Sequence, residues 1–179
     1  MRRSVCCALV VVLALAAAPL ATGGPKTSAQ REQALEQGIL REVNRLRAVR
    51  GLRSLTLSKG LQAAALFQSR ALLTQGVFDH ASPAGGAFDE RLRRFYPVAG
   101  AHAWSIGENL LWSSEGIDAG AAVRLWLDSP SHRRIMLDPT WREFGIGAFG
   151  ASSAPGVFAS AGAVVVVTID FGSRTPSSR

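Results

Sequence analysis

The sequence predicts an α+β fold, with helices covering both faces of a small antiparallel sheet. Three observations carry this. Apolar residues recur every three or four positions through the earlier part of the chain, the period of buried helix faces. After Asp138-Pro139 the period becomes that of extended chain, in Phe144–Phe149 and Ala163–Phe171. Within the second of these, Val164–Val167 is a continuous apolar run, as a strand covered on both faces requires.

In chain order, Ser28 is the expected N-cap of a first helix with Leu35, Ile39, Val43, Leu46 and Val49 along one face and Gly51 as its stop. A second helix starts at Ser58, presents Leu61, Ala65 and Leu72 with several alanines for close packing, and ends at Gly76. Val77–Gly86 reads as a loop because Ser82-Pro83 and Gly85-Gly86 break regular structure. A short helix over 87–95 ends at Tyr96-Pro97, and Trp104–Trp112 reads as a strand or extended turn, at least half buried. Asp118 caps a third main helix running to Asp128, with Ala122, Leu125 and Trp126 on one side. Ser129-Pro130 then starts a short helix that carries His132 in its first turn, a fixed backbone position for an imidazole. Ala151–Gly156 turns the chain between the late strands, and 173–179 reads as a frayed tail. Neither an internal repeat nor a second domain boundary is visible.

Met1-Arg2-Arg3, the apolar run Val5–Leu20 and the small-residue stretch Ala21-Thr22-Gly23 follow the order of a secretory signal peptide. Residues 1–23 are therefore expected to be removed, and 24–34 to form a linker and the start of the first helix. A secreted or periplasmic protein without a transmembrane segment after cleavage follows. Cys6 and Cys7 fall inside the signal, so the mature domain holds together without disulfides, and neither cysteine sits where lipid attachment requires it. The formal net charge is +7, of which Arg2 and Arg3 account for two. A soluble basic surface explains that charge, and attraction to anionic envelope polymers is its functional counterpart. Nucleic acid is not an expected partner, because no run interleaves aromatics with Lys and Arg. A monomer is expected.

Several segments, taken in order, resemble the CAP superfamily of cysteine-rich secretory proteins, antigen 5 and pathogenesis-related proteins, in its bacterial SCP-like extracellular branch. Asn44-Arg45-Leu46-Arg47 with Gly51-Leu52 and Leu55 is similar to its first-helix signature. Phe78-Asp79-His80 resembles its Phe-Ser-His, Gly107-Glu108-Asn109 its Gly-Glu-Asn, and Trp126–Leu137 its Trp-Met-x-Ser-Pro-Gly-His-Arg-x-Asn-Ile-Leu. Phe144-Gly145-Ile146-Gly147 and Asp170-Phe171-Gly172 are similar to its late strands. The resemblance spans 35–172, expected to be the CAP domain. It implies an α-β-α sandwich whose open cleft is lined by His80, His132 and Glu108, where some members bind a divalent metal. Ser129 stands where many eukaryotic members carry a second glutamate. Ser131 replaces a glycine, Ile135 an asparagine, and Asp79 a serine, placing a carboxylate beside His80 that would favour its protonated form.

The chemistry of these residues supports two readings. His80 and His132 with Glu108 make the ligand set of an open zinc site, and the same groups without metal position a water or bind a polar ligand. The preferred function is a non-enzymatic binding module of the cell envelope, its ligand lipid or cell-wall material. The alternative is a metal-dependent hydrolase in the same cleft, with His80 and His132 as ligands and Glu108 as ligand or general base. Catalytic candidates are thus His80, Glu108 and His132, with Asp79 and Ser129 as further cleft candidates. No mature cysteine, Gly-x-Ser-x-Gly or His-Glu-x-x-His strengthens the enzymatic reading. His102 is expected at the surface, and Trp104, Trp112, Trp126 and Trp141 in the core and cleft wall.

Overall fold

A computed structural model describes residues 26–83, 86–98, 101–114 and 116–176. The predicted signal peptide and residues 177–179 lie outside this range. Helix α1 (Ser28–Val49) begins one residue after the cap. Thr27, not Ser28, accepts from the Gln30 amide at 3.2 Å while Gln30 accepts from the Thr27 amide at 2.8 Å. This reciprocal pair satisfies two amides that the first helical turn leaves free.

Along α1 the buried stripe is Ile39, Val43 and Arg47. Arg47 is fully buried and donates to the carbonyls of Arg53, Met136 and Asp138 at 2.9–3.0 Å. Asn44 makes a two-way amide pair with the Leu55 backbone at 2.8 and 3.0 Å. The Asn-x-x-Arg signature is therefore a staple: it holds β1 (Thr56–Leu57) and the turn ahead of β3 (Glu143–Ala151) against the end of α1.

Helix α2 (Lys59–Gln75) ends at Gly76 in the left-handed conformation, φ 70°. It lies unusually close to β3, because a Cβ at Gly145 or Gly147 would run into its backbone at Gln62 or Leu66. Helix α3 (Phe88–Phe95) follows, then β2 (Ala101–Ser114), α4 (Ala119–Asp128), α5 (Pro130–Met136), a 3-10 turn at Gly156–Phe158 and β4 (Val164–Pro176).

The four strands lie in the order β1-β3-β4-β2. β3–β4 and β2–β4 are antiparallel, as expected, and the two-residue β1 adds a parallel pairing to β3 that makes the sheet mixed. The connection from β1 to β3 is long, carrying α2, α3, β2, α4 and α5, and a long connection is what permits parallel pairing. Trp104–Trp112 is strand throughout, paired residue for residue with β4.

The expected tail is also corrected, since Ser173–Pro176 continue β4. Arg174 lies 4.0 Å above the Tyr96 ring and 3.3 Å from Glu143, which anchors this end of the strand.

On one face of the sheet, Ile39, Val43, Ala122, Trp126 and Met136 of α1, α4 and α5 pack on Phe144, Ile146, Val167 and Ile169. On the other, Leu72 and Leu73 of α2 meet Leu110, Val164 and Val166. Leu61 and Ala64 of α2 join Leu92 of α3 and Tyr96 beside them. The result is the α-β-α layering expected of the chain, with β2 as an edge strand between two helical layers.

Candidate functional site

The site is built on this edge. Glu108 and Asn109 are consecutive in β2, so their side chains leave on opposite faces. On the α2/α3 face, Glu108 is 3% exposed, and its Oε1 lies 2.8 Å from His80 Nδ1. Its Oε2 accepts from Arg91 of α3, which is itself buried. On the α5 face, the buried Asn109 donates to the His132 carbonyl at 3.0 Å. Successive residues of one strand thus fix the two histidines around the sheet edge.

The His80 loop is held from beneath. Gln68 of α2, fully buried, directs its amide at the carbonyls of Asp79, His80 and Ala81 at 3.0, 3.4 and 3.3 Å. Arg91 Nη1 donates to the His80 carbonyl at 3.3 Å. Asp79 closes the turn by accepting from the Ala81 amide at 2.8 Å. The imidazole itself stays half exposed at the surface.

Charge differs between the two rings. The hydrogen bond to Glu108 raises the His80 pKa above its ordinary value, against burial, and the charges of Glu108 and then Asp79 add to the rise. Burial, followed by the repulsion of His80, lowers that of His132. The site therefore favours the protonated form of His80 and the neutral form of His132.

Ser129 occupies the cap position of α5, but its hydroxyl lies 3.0 Å from that of Ser131 and makes no cap bond. Trp126 is core, and its indole donates to the Leu110 carbonyl at 3.0 Å. The His102 side chain lies outside those described. A hollow of about 610 Å³ lies elsewhere, lined by Arg31, Glu32, Leu35, Ile117, Ala151 and Val165 among others, and contains none of the site residues.

The expected three-ligand metal set does not fit this geometry. Both oxygens of Glu108 are taken, one by His80 and one by Arg91, and among the described residues no group of three His, Cys, Asp or Glu is arranged to hold an ion. Glu108 instead hydrogen-bonds His80 and favours its protonated form.

Two participants were not among the sequence candidates: Arg91, and Asp170 of β4, in register with Glu108. Each carried a signal. Arg91 interrupts the apolar stripe Phe88, Leu92, Phe95, and Asp170 is the lone acid in the apolar run Val164–Phe171.

Comparison with known proteins places this architecture. The model of the CAP family, described as the cysteine-rich secretory protein family, matches residues 40–169. The chain belongs to that family.

Among its relatives is the uncharacterized protein YkwD of Bacillus subtilis, 26% identical over 114 residues, which cover 64% of this chain and 42% of that protein. An extracellular SCP-domain protein of Bacillus anthracis superimposes with a TM-score of 0.62 at 24% identity, over 83% of this chain and 44% of that one. An outer surface protein of Borrelia burgdorferi gives 0.60 at 20% identity, over 86% of this chain and all of that one. The chain thus spans less than half the length of the two Bacillus proteins. Among the described residues no helix is long and apolar enough to cross a membrane.

Proposed function

We propose that the chain is an extracytoplasmic binding module of the cell envelope, exported by a signal peptide at 1–23. Its ligand site is the cleft edge formed by His80, Glu108 and His132, flanked by Asp79 and Ser129. The observation that carries this reading is the engagement of both Glu108 oxygens, one by the His80 imidazole and one by the Arg91 guanidinium. A carboxylate with both oxygens so occupied is poorly placed to act as a general base, whereas the imidazoles beside it suit recognition of a polar group. Beside them lies an apolar surface. Phe78 and Trp112, 39% and 38% exposed, flank Phe158 edge-on at 6.4 and 5.5 Å. A ligand with polar and apolar parts, such as envelope lipid or cell-wall material, matches this pairing. The extracellular and outer-surface descriptions of the Bacillus anthracis and Borrelia proteins support the location.

The test is retention of purified protein on isolated envelope fractions at moderate salt, with His80→Ala and His132→Ala alongside. Retention that weakens in both variants is expected. Retention indifferent to both, or lost entirely at moderate salt, overturns the reading. Saturable zinc binding abolished by both substitutions, together with hydrolysis of a peptide or ester abolished by Glu108→Gln, would establish the hydrolase instead.

A further inference from the structure

Asp170 has no exposed surface, and neither of its carboxyl oxygens has a hydrogen-bond partner if it is a bare acceptor. Trp126 donates to the Leu110 carbonyl from beyond the sheet edge, so Leu110 turns its backbone away from β4. Glu108, two residues earlier, does the same. Its pairing with Asp170 is therefore of the kind without mutual backbone bonds, in which facing side chains approach most closely.

Among the described residues, the charged and titratable groups facing Asp170 are few. Glu108 comes from β2 and Arg91 from α3, with His80 behind Glu108. Arg91 Nη2 lies 3.8 Å from Asp170 Oδ1, beyond hydrogen-bond reach, while it is bonded to Glu108. On the other side β3 offers Gly145, covered by the α2 backbone at Leu61 and Gln62.

We propose that Asp170 is a protonated carboxylic acid that donates its proton to Glu108, making the pair a proton-sharing dyad that positions Glu108 for His80. Two carboxylates in one buried space with a single guanidinium cannot both ionise at low cost. One proton between them solves the charge problem and supplies the donor that Asp170 otherwise lacks. Burial and the Glu108 charge push the Asp170 pKa the same way, well up. The dyad also sets what a ligand meets at the surface. With Asp170 neutral, Arg91 balances Glu108, and the charge that His80 carries when protonated is left to face the ligand site of the proposed function. Asp170 is thus a positioning residue, acting on the site through Glu108.

The experiment is carboxyl-carbon NMR of purified protein across pH 5–8, the Asp170 signal assigned with Asp170→Asn, together with titration of the His80 ring. The expected result is an Asp170 signal at the protonated position throughout. Asp170→Asn keeps a neutral donor beside Glu108, so His80 titrates within about 0.3 unit of wild type, while Glu108→Gln lowers it by about one unit, a tenfold change in proton affinity. An ionised Asp170 signal, or a fall in His80 pKa in Asp170→Asn matching that in Glu108→Gln, overturns the proposal. If Asp170→Asn does not fold, the wild-type signal, assigned by selective aspartate labelling and through-bond correlation, still decides.

Discussion

Glu108 and His80 are 28 residues apart in the chain and 2.8 Å apart in the fold, joined across the boundary between an edge strand and a loop. This bond joins a family motif on a strand and another on a loop into one hydrogen-bonded unit at the sheet edge.

Its pH dependence follows from the direction of the shift. His80 has a folded pKa raised above 6.5, chiefly by Glu108. The stability it contributes is therefore fully present below pH 6.5 and is lost as pH rises through the raised value. Thermal unfolding monitored from about pH 5 to 9 should show that decline in wild type and a flatter profile in Glu108→Gln.

Arg91 is the one described cation that reaches both buried carboxylates. Arg91→Met leaves Glu108 without its buried partner and should cost about 3–5 kcal/mol in urea unfolding. Arg91→Lys should recover only part of this, because one ammonium cannot reproduce the forked contacts to Glu108 and to the His80 carbonyl.

Gln68 holds three carbonyls of the His80 loop from below. Gln68→Leu should strip those carbonyls of a buried donor at a cost of about 1–3 kcal/mol. The loop's amides, Ala81 and Ser82 among them, should exchange with deuterium faster while those of β4 are unchanged.

Gly147 is required by proximity, since a Cβ there meets the backbone of α2 at Leu66. Gly147→Ala should destabilise by about 1–3 kcal/mol, measured by chemical unfolding, because the helix and strand must separate to admit one methyl group.

The exposed side of β3 is closed by two carboxylates from one face of α1. Glu36 accepts from the Ala148 amide at 2.8 Å and Glu32 from the Gly150 amide at 2.9 Å. Replacing both by alanine should speed exchange at Ala148 and Gly150 and promote self-association at high concentration, seen by sedimentation, as an uncovered strand edge does.

Much of the fold was legible because local rules and burial agreed. The α1, α2 and α4 stripes repeat at helical spacing, and Gly76 ends α2 as a left-handed cap. Legibility failed where long-range pairing chose the structure. Trp104–Trp112 has no clean alternation, and β4 alone makes it a strand. Ser173–Pro176 is polar and reads as a tail, yet Arg174 finds Tyr96 and Glu143. Two residues of β1 carry too little pattern to announce a parallel pairing.

For the site, the sequence by itself determined the candidates His80, Glu108 and His132, since each lies in a short motif with recognisable neighbours. It also determined that the folded domain stands without disulfides, since no cysteine follows Cys7. Only the tertiary structure decided which groups those candidates contact. It made Glu108 the partner of His80 and Arg91, and it set Asp170 opposite Glu108. The physical reason is that a carboxylate's chemistry depends on which charges share its buried space. That is fixed by strand register and helix packing between segments distant in the chain, and no local pattern encodes it.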